Sequence, residues 1–119
     1  MNDNNTSNPP DEGAYLIVNS QVFHLNKSVT SIGRMLDNDL VIQEPLISRH
    51  HAEIHYEGDK YVLKDLNSTS GTFLNNKKVP QGVLYSGDII LLANIPIMFV
   101  DESTSISANA EESTGKLRD

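Results

Sequence analysis

From residue 14 to residue 100 the chain is written in apolar runs of three to six residues, each closed by turn-forming residues, and this rhythm leaves room for strands and little else. The runs fall at 14–19, 22–25, 29–32, 40–42, 52–56, 61–66, 72–74, 77–79, 88–93 and 95–100. Strict alternation is visible in Ala52-Glu53-Ile54-His55-Tyr56 and in Tyr61-Val62-Leu63-Lys64, which points one side chain in two toward a core. Turn signals recur at Asn19-Ser20, Glu57-Gly58-Asp59, Asn75-Asn76 and Ser86-Gly87-Asp88. Residues 94–96 read as a tight connection between the last two strands. No window carries a 3.6-residue apolar stripe of useful length. The expected fold is an all-β sandwich of about eleven short strands, with function in the loops that cluster at one end.

The 119 residues fit one such domain. The formal charge of −7 sits mostly outside the strand-rich part. Residues 1–12 hold three acids and no base, and 101–119 hold five acids against Lys116 and Arg118. Residues 13–100 hold eight acids against seven bases. The expected organisation is a disordered tail over 1–12, a folded domain over 13–100 and a disordered, acidic, Ser/Thr-rich tail over 101–119. Neither the near-neutral domain nor its acidic ends are the electrostatic footprint of a nucleic-acid or anionic-membrane binder. Residues 1–12 lack a basic and apolar leader pattern, and with no cysteine in the chain an intracellular, cytoplasmic setting is expected. The N-x-T frames at Asn4 and Asn67 are discounted as glycosylation sites on the same ground.

Three loop segments carry the chemistry. The first is Gly33-Arg34 with Asn38-Asp39 close behind. The second is Ser48-Arg49-His50-His51-Ala52, and the third is the stretch 65–75, DLNSTSGTFLN. Leu84 with Gly87-Asp88 follows before a final hairpin. A phosphate dianion needs a fixed cation and several donors held on loops. Arg34 offers a planar fork suited to phosphate oxygens. Ser48 offers a hydroxyl, and Arg49 adds charge and a backbone N–H. Thr69 and Ser70 can reach a peptide main chain or its phosphate.

This ordered set, over roughly residues 14–100, resembles the forkhead-associated (FHA) family. The resemblance implies a module that captures phosphothreonine on partner proteins downstream of Ser/Thr kinases, without catalysis and without a cofactor. It implies that Arg34, Ser48, Arg49, Thr69 and Ser70 line the peptide site. Gly33, His51, Gly71 and Asn75 match positions that shape or brace the loops. Gly33 is expected to let the backbone turn sharply, and Gly71 to take a conformation closed to other residues. Preference for threonine over serine is a family trait, implying a small pocket for the threonine methyl. One departure stands out: the position of Ser70 is most often Asn in the family, and serine has a shorter reach and fewer donors.

Rival readings are weaker. His51 and His55, on one face of a strand, would lie roughly 13 Å apart, too far to share an ion. Asp37, Asn38 and Asp39 lack the later glycine and glutamate of a calcium loop, and Asn38 and Asp39 are expected to hold a turn. Ser48 has no nucleophile-elbow context, and no phosphate-cradling glycine loop occurs. A phosphorylation-independent docking module is the alternative, its site closed by its own phosphorylated tail. Thr6, Thr104 and above all Thr114 lie near acids, so capture by the same molecule or by a neighbour is conceivable from sequence.

Overall fold

The alternation read from the sequence builds two sheets packed face to face. The computed structural model describes residues 8–10 and 13–103, so the expectations for the remaining tail residues, Thr114 included, lie outside the described residues. The strands are β1 (Ala14–Val18), β2 (Gln21–His24), β3 (Val29–Gly33), β4 (Leu40–Val41), β5 (Ala52–Glu57), β6 (Lys60–Asp65), β7 (Thr72–Leu74), β8 (Lys77–Lys78), β9 (Gln81–Leu84), β10 (Ile89–Leu92) and β11 (Ile95–Asp101). One sheet runs β2-β1-β11-β10-β7-β8 and the other β4-β3-β5-β6-β9. All pairs are antiparallel except β3 with β4. The all-β sandwich expected from the sequence is therefore observed, with strands over each of the ten runs. The eleventh strand, β9, lies outside those runs.

The core lies between the sheets. Leu16, Ile90, Leu92, Ile97 and Phe99 face Ile32, Ile54, Tyr61 and Leu63, each no more than 3% exposed. Burying such side chains supplies the main driving force for folding, each contributing about 1.5–3 kcal/mol.

Three hairpins turn on two residues that both have positive φ: Asn19 and Ser20, Gly58 and Asp59, Asn75 and Asn76. Their twist matches that of the flanking strands. The last hairpin differs from the sequence expectation. Its connection is Ala93 and Asn94, with Ala93 at φ 58, and Pro96 lies inside β11. Proline is tolerated there because the pairing of β11 with β1 ends at Met98, so no ladder bond needs its missing N–H.

The register fixes where the loops meet. Ile32 pairs with Ala52, and Ala52 pairs with Asp65. The end of β3, the start of β5 and the end of β6 therefore stand in line. The three segments singled out above emerge side by side at one end of the sandwich.

Candidate functional site

The first loop is held against the second by a backbone approach that only glycine permits. A Cβ built on Gly33 would lie 2.2 Å from the Arg49 carbonyl oxygen and 2.8 Å from Asn38 Nδ2. Gly33 thus serves close packing inside β3 rather than the sharp turn expected from sequence. Around this approach Arg34 N–H donates to the Ser48 carbonyl (3.0 Å) and Met35 N–H to the Arg49 carbonyl (3.2 Å). Asn38 is 7% exposed and its amide donates to the carbonyls of Met35 (2.8 Å) and Arg49 (2.9 Å). The turn-holding residue of the sequence reading is therefore a clamp between two loops. Beside it, Asp39 accepts from Lys27 and from the backbone and hydroxyl of Ser31.

The second loop is tied to the third by His51, which is fully buried. Its Nδ1 accepts the Ser48 N–H at 3.1 Å, which assigns the proton to Nε2, and Nε2 donates to the Gly71 carbonyl at 2.9 Å. Gly71 has φ +92, the left-handed region expected of it. Both ring nitrogens are thus occupied. His50 instead pairs with Asp37 at the surface (3.0 Å), and His55 pairs with Glu53 (2.8 Å) on the outer face of β5. The three histidines point to three different places.

The third loop is organised by a residue that the sequence reading passed over. Asp65 accepts from the Ser68 backbone N–H (3.1 Å), from the Ser68 hydroxyl and from the Thr72 hydroxyl (2.7 Å), and the Ser68 hydroxyl in turn accepts the Gly71 N–H (3.1 Å). Burial pushes the Asp65 carboxyl up, but the hydrogen bonds from Ser68 and Thr72 outweigh it and hold the group below its ordinary value. The available signal was the Asp-x-x-Ser spacing, which suits a side chain that closes its own turn. Asn75 sits at the opposite end of β7 from Gly71. It bonds Asp88 (3.0 Å) and the Ile89 N–H (2.9 Å) and braces the β7–β8 turn against the start of β10.

What the scaffold presents is an open cleft lined by Arg34, Met35, Ser48, Arg49, His50 and Thr69. A second cleft shares Arg34, Ser48 and Thr69 and adds Pro45, Leu46, Ile47 and Ser70. All five residues expected at the site line these two clefts. Arg34 Nε donates to the Ile47 carbonyl at 2.9 Å, which steadies the guanidinium while leaving its terminal nitrogens for a ligand. Ser48 Oγ accepts the Thr69 N–H at 3.1 Å, so the hydroxyl proton remains to be donated. Among the described residues, neither Arg34 nor Arg49 is paired with a carboxylate, and no acceptor takes the Arg49 backbone N–H. The arrangement is two uncompensated cations and convergent donors on fixed loops, which suits a polyanionic oxygen group. A third cleft, lined among others by Asp59, Lys60, Tyr61, Tyr85 and Asp101, mixes both charge signs and brings together none of the five residues expected at the site.

Comparison with known proteins agrees with this geometry. The profile of the FHA domain matches residues 30–93. The oxoglutarate dehydrogenase inhibitor of Corynebacterium jeikeium is 31% identical over 99 residues, covering 79% of this chain and 69% of that protein. The ABC transporter ATP-binding/permease protein Rv1747 of Mycobacterium tuberculosis is 41% identical over 70 residues, which is 59% of this chain but only 8% of the transporter. The solved structure of Mycobacterium tuberculosis EmbR in complex with a low-affinity phosphopeptide superposes with a TM-score of 0.73 at 32% identity, covering 76% of this chain and 24% of that one. With the profile spanning more than half of the sequence and a related sandwich at that identity, the chain belongs to the FHA domain family.

Proposed function

We propose that this chain is a phosphothreonine-dependent interaction module of Ser/Thr kinase signalling, with no catalysis of its own. The observation that carries the reading is the disposition of Arg34: an exposed guanidinium steadied through Nε, without a carboxylate partner among the described residues, beside the free hydroxyl proton of Ser48. In this reading Arg34 and Ser48 take the phosphate oxygens, and Arg49 adds charge and its backbone N–H. Thr69 and Ser70 grip the peptide main chain, with Ser70 reaching less far than an asparagine would. Gly33, Asn38, His51, Asp65 and Gly71 act as positioning residues. The fixed loops favour the dianion, whose second ionisation lies near pH 6.

The EmbR structure supports the reading, since a related sandwich holds a phosphopeptide. The whole activities of the longer relatives are not carried over. An intracellular setting follows from the proposal, because kinases and their phosphorylated partners meet there. Among the described residues no helix is long and apolar enough to cross a membrane. The test is a phosphothreonine peptide library screened against its unphosphorylated and phosphoserine counterparts. Phosphothreonine-selective capture is expected. Equal retention of the unphosphorylated library would reject the proposal in favour of phosphorylation-independent docking.

A further inference from the structure

The third cleft lies at the opposite end of the sandwich from Arg34. Its residues stand where β6 starts and where β9 and β11 end. Tyr61 pairs there with Leu84, and four steps along β6, about 13 Å at ordinary strand rise, separate it from Asp65 at the base of the third loop. The walls are held by bonds of their own. The Asp88 carboxylate accepts the Tyr85 N–H (2.7 Å), and the Tyr85 carbonyl accepts the Asp88 N–H (2.9 Å), which closes the turn over 85–88. Ser86 Oγ accepts the Asp101 N–H (3.0 Å) and ties that turn to the end of β11.

Inside this frame is a polar group with nothing to bond. Tyr61 is 3% exposed, and its hydroxyl is one of two buried side-chain polar atoms without a partner among the described residues. The other, Asn38 Oδ1, belongs to the clamp of the first loop. Native interiors rarely leave such a group unbonded, so it calls for an occupant. The Tyr61 ring is packed against Tyr56 (4.8 Å between centroids) and Phe99 (5.3 Å), which fix its direction. Burial raises the phenol above its ordinary value, and the Asp101 carboxylate raises it further, so that charge lies close to the hydroxyl. The hydroxyl is thus turned toward Asp101 and the cleft that both residues line. Asp101 is 8% exposed, whereas Asp59 and Lys60 sit at the exposed end of the β5–β6 hairpin. The deep part of the cleft is therefore negative and rich in acceptors, and its one lining cation stands at the mouth.

We propose that this cleft is a binding site for a primary alkylammonium group, the end of a lysine side chain or of a small free amine. An ammonium has three donors and no acceptor, which answers a carboxylate and an unbonded hydroxyl oxygen at once. Tyr85, 64% exposed, adds an aromatic ring, a surface that attracts cations. The cleft volume of about 120 Å³ is several times the 10–15 Å³ or so that admits one water, leaving room for the ammonium and the first methylenes of its stem. An anion would meet Asp101 in the deep part with no buried cation to offset it, since Lys60 can extend its own ammonium into water. Lying at the far end of the sandwich, the cleft can fill while a phosphopeptide occupies the loops.

The test is an NMR titration of the isotopically labelled chain 1–119 with Nα-acetyl-lysine methylamide, with 1,4-diaminobutane, and with the lysine probe acetylated on Nε. Both amines should give saturable shifts at residues 59–61, 84–86 and 101, half-saturating at about millimolar concentration, as one charged group in a small cleft supports. The tighter of the two names the source, a protein lysine or a free diamine. The acetylated probe carries no charge and should give no such shifts. Tyr61→Phe should keep the fold and weaken both amines by about 10-fold, the loss of one hydrogen bond to a charged group. Asp101→Asn should weaken them at least as much, and Asp59→Asn gives a second carboxylate variant should that one fail to fold. No saturable shift up to about 50 mM amine overturns the proposal. So does an equal response to the acetylated probe, or amine binding unchanged in both Tyr61→Phe and the folded carboxylate variant. A phosphothreonine peptide added to the same samples reads the loops separately, so the failure of either reading leaves the other standing.

Discussion

Gly33→Ala tests the reasoning about how the loops are held. The added Cβ would sit 2.2 Å from the Arg49 carbonyl oxygen, about 1.1 Å inside the closest ordinary C···O approach of about 3.3 Å. The obstacle is backbone, so no rotamer change relieves it. A displacement of about an ångström carries the Arg49 oxygen out of reach of Met35 N–H (3.2 Å) and Asn38 Nδ2 (2.9 Å). Losing two such bonds in a part-buried setting costs about 2–5 kcal/mol. For a domain of this size that lowers the melting temperature by about 10 °C or more. Because Arg34 and Arg49 move with the backbone, phosphopeptide affinity should fall as well. Gly58→Ala is the control: nothing lies within 4 Å of its Cβ, and only its φ of +55 is unfavourable, so about 1–2 kcal/mol of left-handed strain is expected. Thermal melts by circular dichroism and peptide titration well below the transition read both effects. A Gly33→Ala protein melting within about 2 °C of wild type with unchanged affinity would refute the steric account, given that 1 kcal/mol alone shifts the transition by about 4–8 °C.

Arg34→Ala should weaken phosphothreonine-peptide binding by about 30-fold or more, the cost of leaving a charged phosphate without its partner, while its melting temperature stays near wild type; isothermal titration and a thermal melt check the two halves. Asp65 titrates below its ordinary value, so its contribution to stability is full above the unfolded value of 3.8 and is lost as pH falls through the lower folded value. Between pH 5 and pH 3, values chosen to span about that ionisation, the melting temperature of Asp65→Asn should accordingly fall less than that of wild type. Tyr61 is 3% exposed, and its hydroxyl has no hydrogen-bond partner among the described residues. Tyr61→Phe should therefore leave stability unchanged or raise it by up to about 1 kcal/mol in urea denaturation, since the lost group made no bond.

The strands were legible because their inward residues are apolar at a period of two, as in β5 and β6. β9 was not, because Gln81-Gly82-Val83-Leu84 has one glycine, one exposed polar residue and only two apolar positions. The turns at Asn19-Ser20, Gly58-Asp59 and Asn75-Asn76 could be read because Asn, Asp and Gly accept positive φ. Ala93 gave no such signal: the hairpin between two well-anchored strands imposes φ 58 on a residue that does not favour it. At the site, the cleft-lining residues were legible through their ordered spacing. Their supports were not, since the Gly33–Arg49 contact, the Asn38 clamp and the Asp65 cluster join positions that only the register brings together.

The most direct test of the central claim is an NMR titration of the isotopically labelled chain with one phosphothreonine peptide and its unphosphorylated twin. The account expects saturable amide shifts confined to residues 34–35, 48–50 and 69–71 with the phosphorylated peptide, and none with its twin. Equal binding of both peptides, or shifts centred on a sheet face instead of the loops, would contradict it.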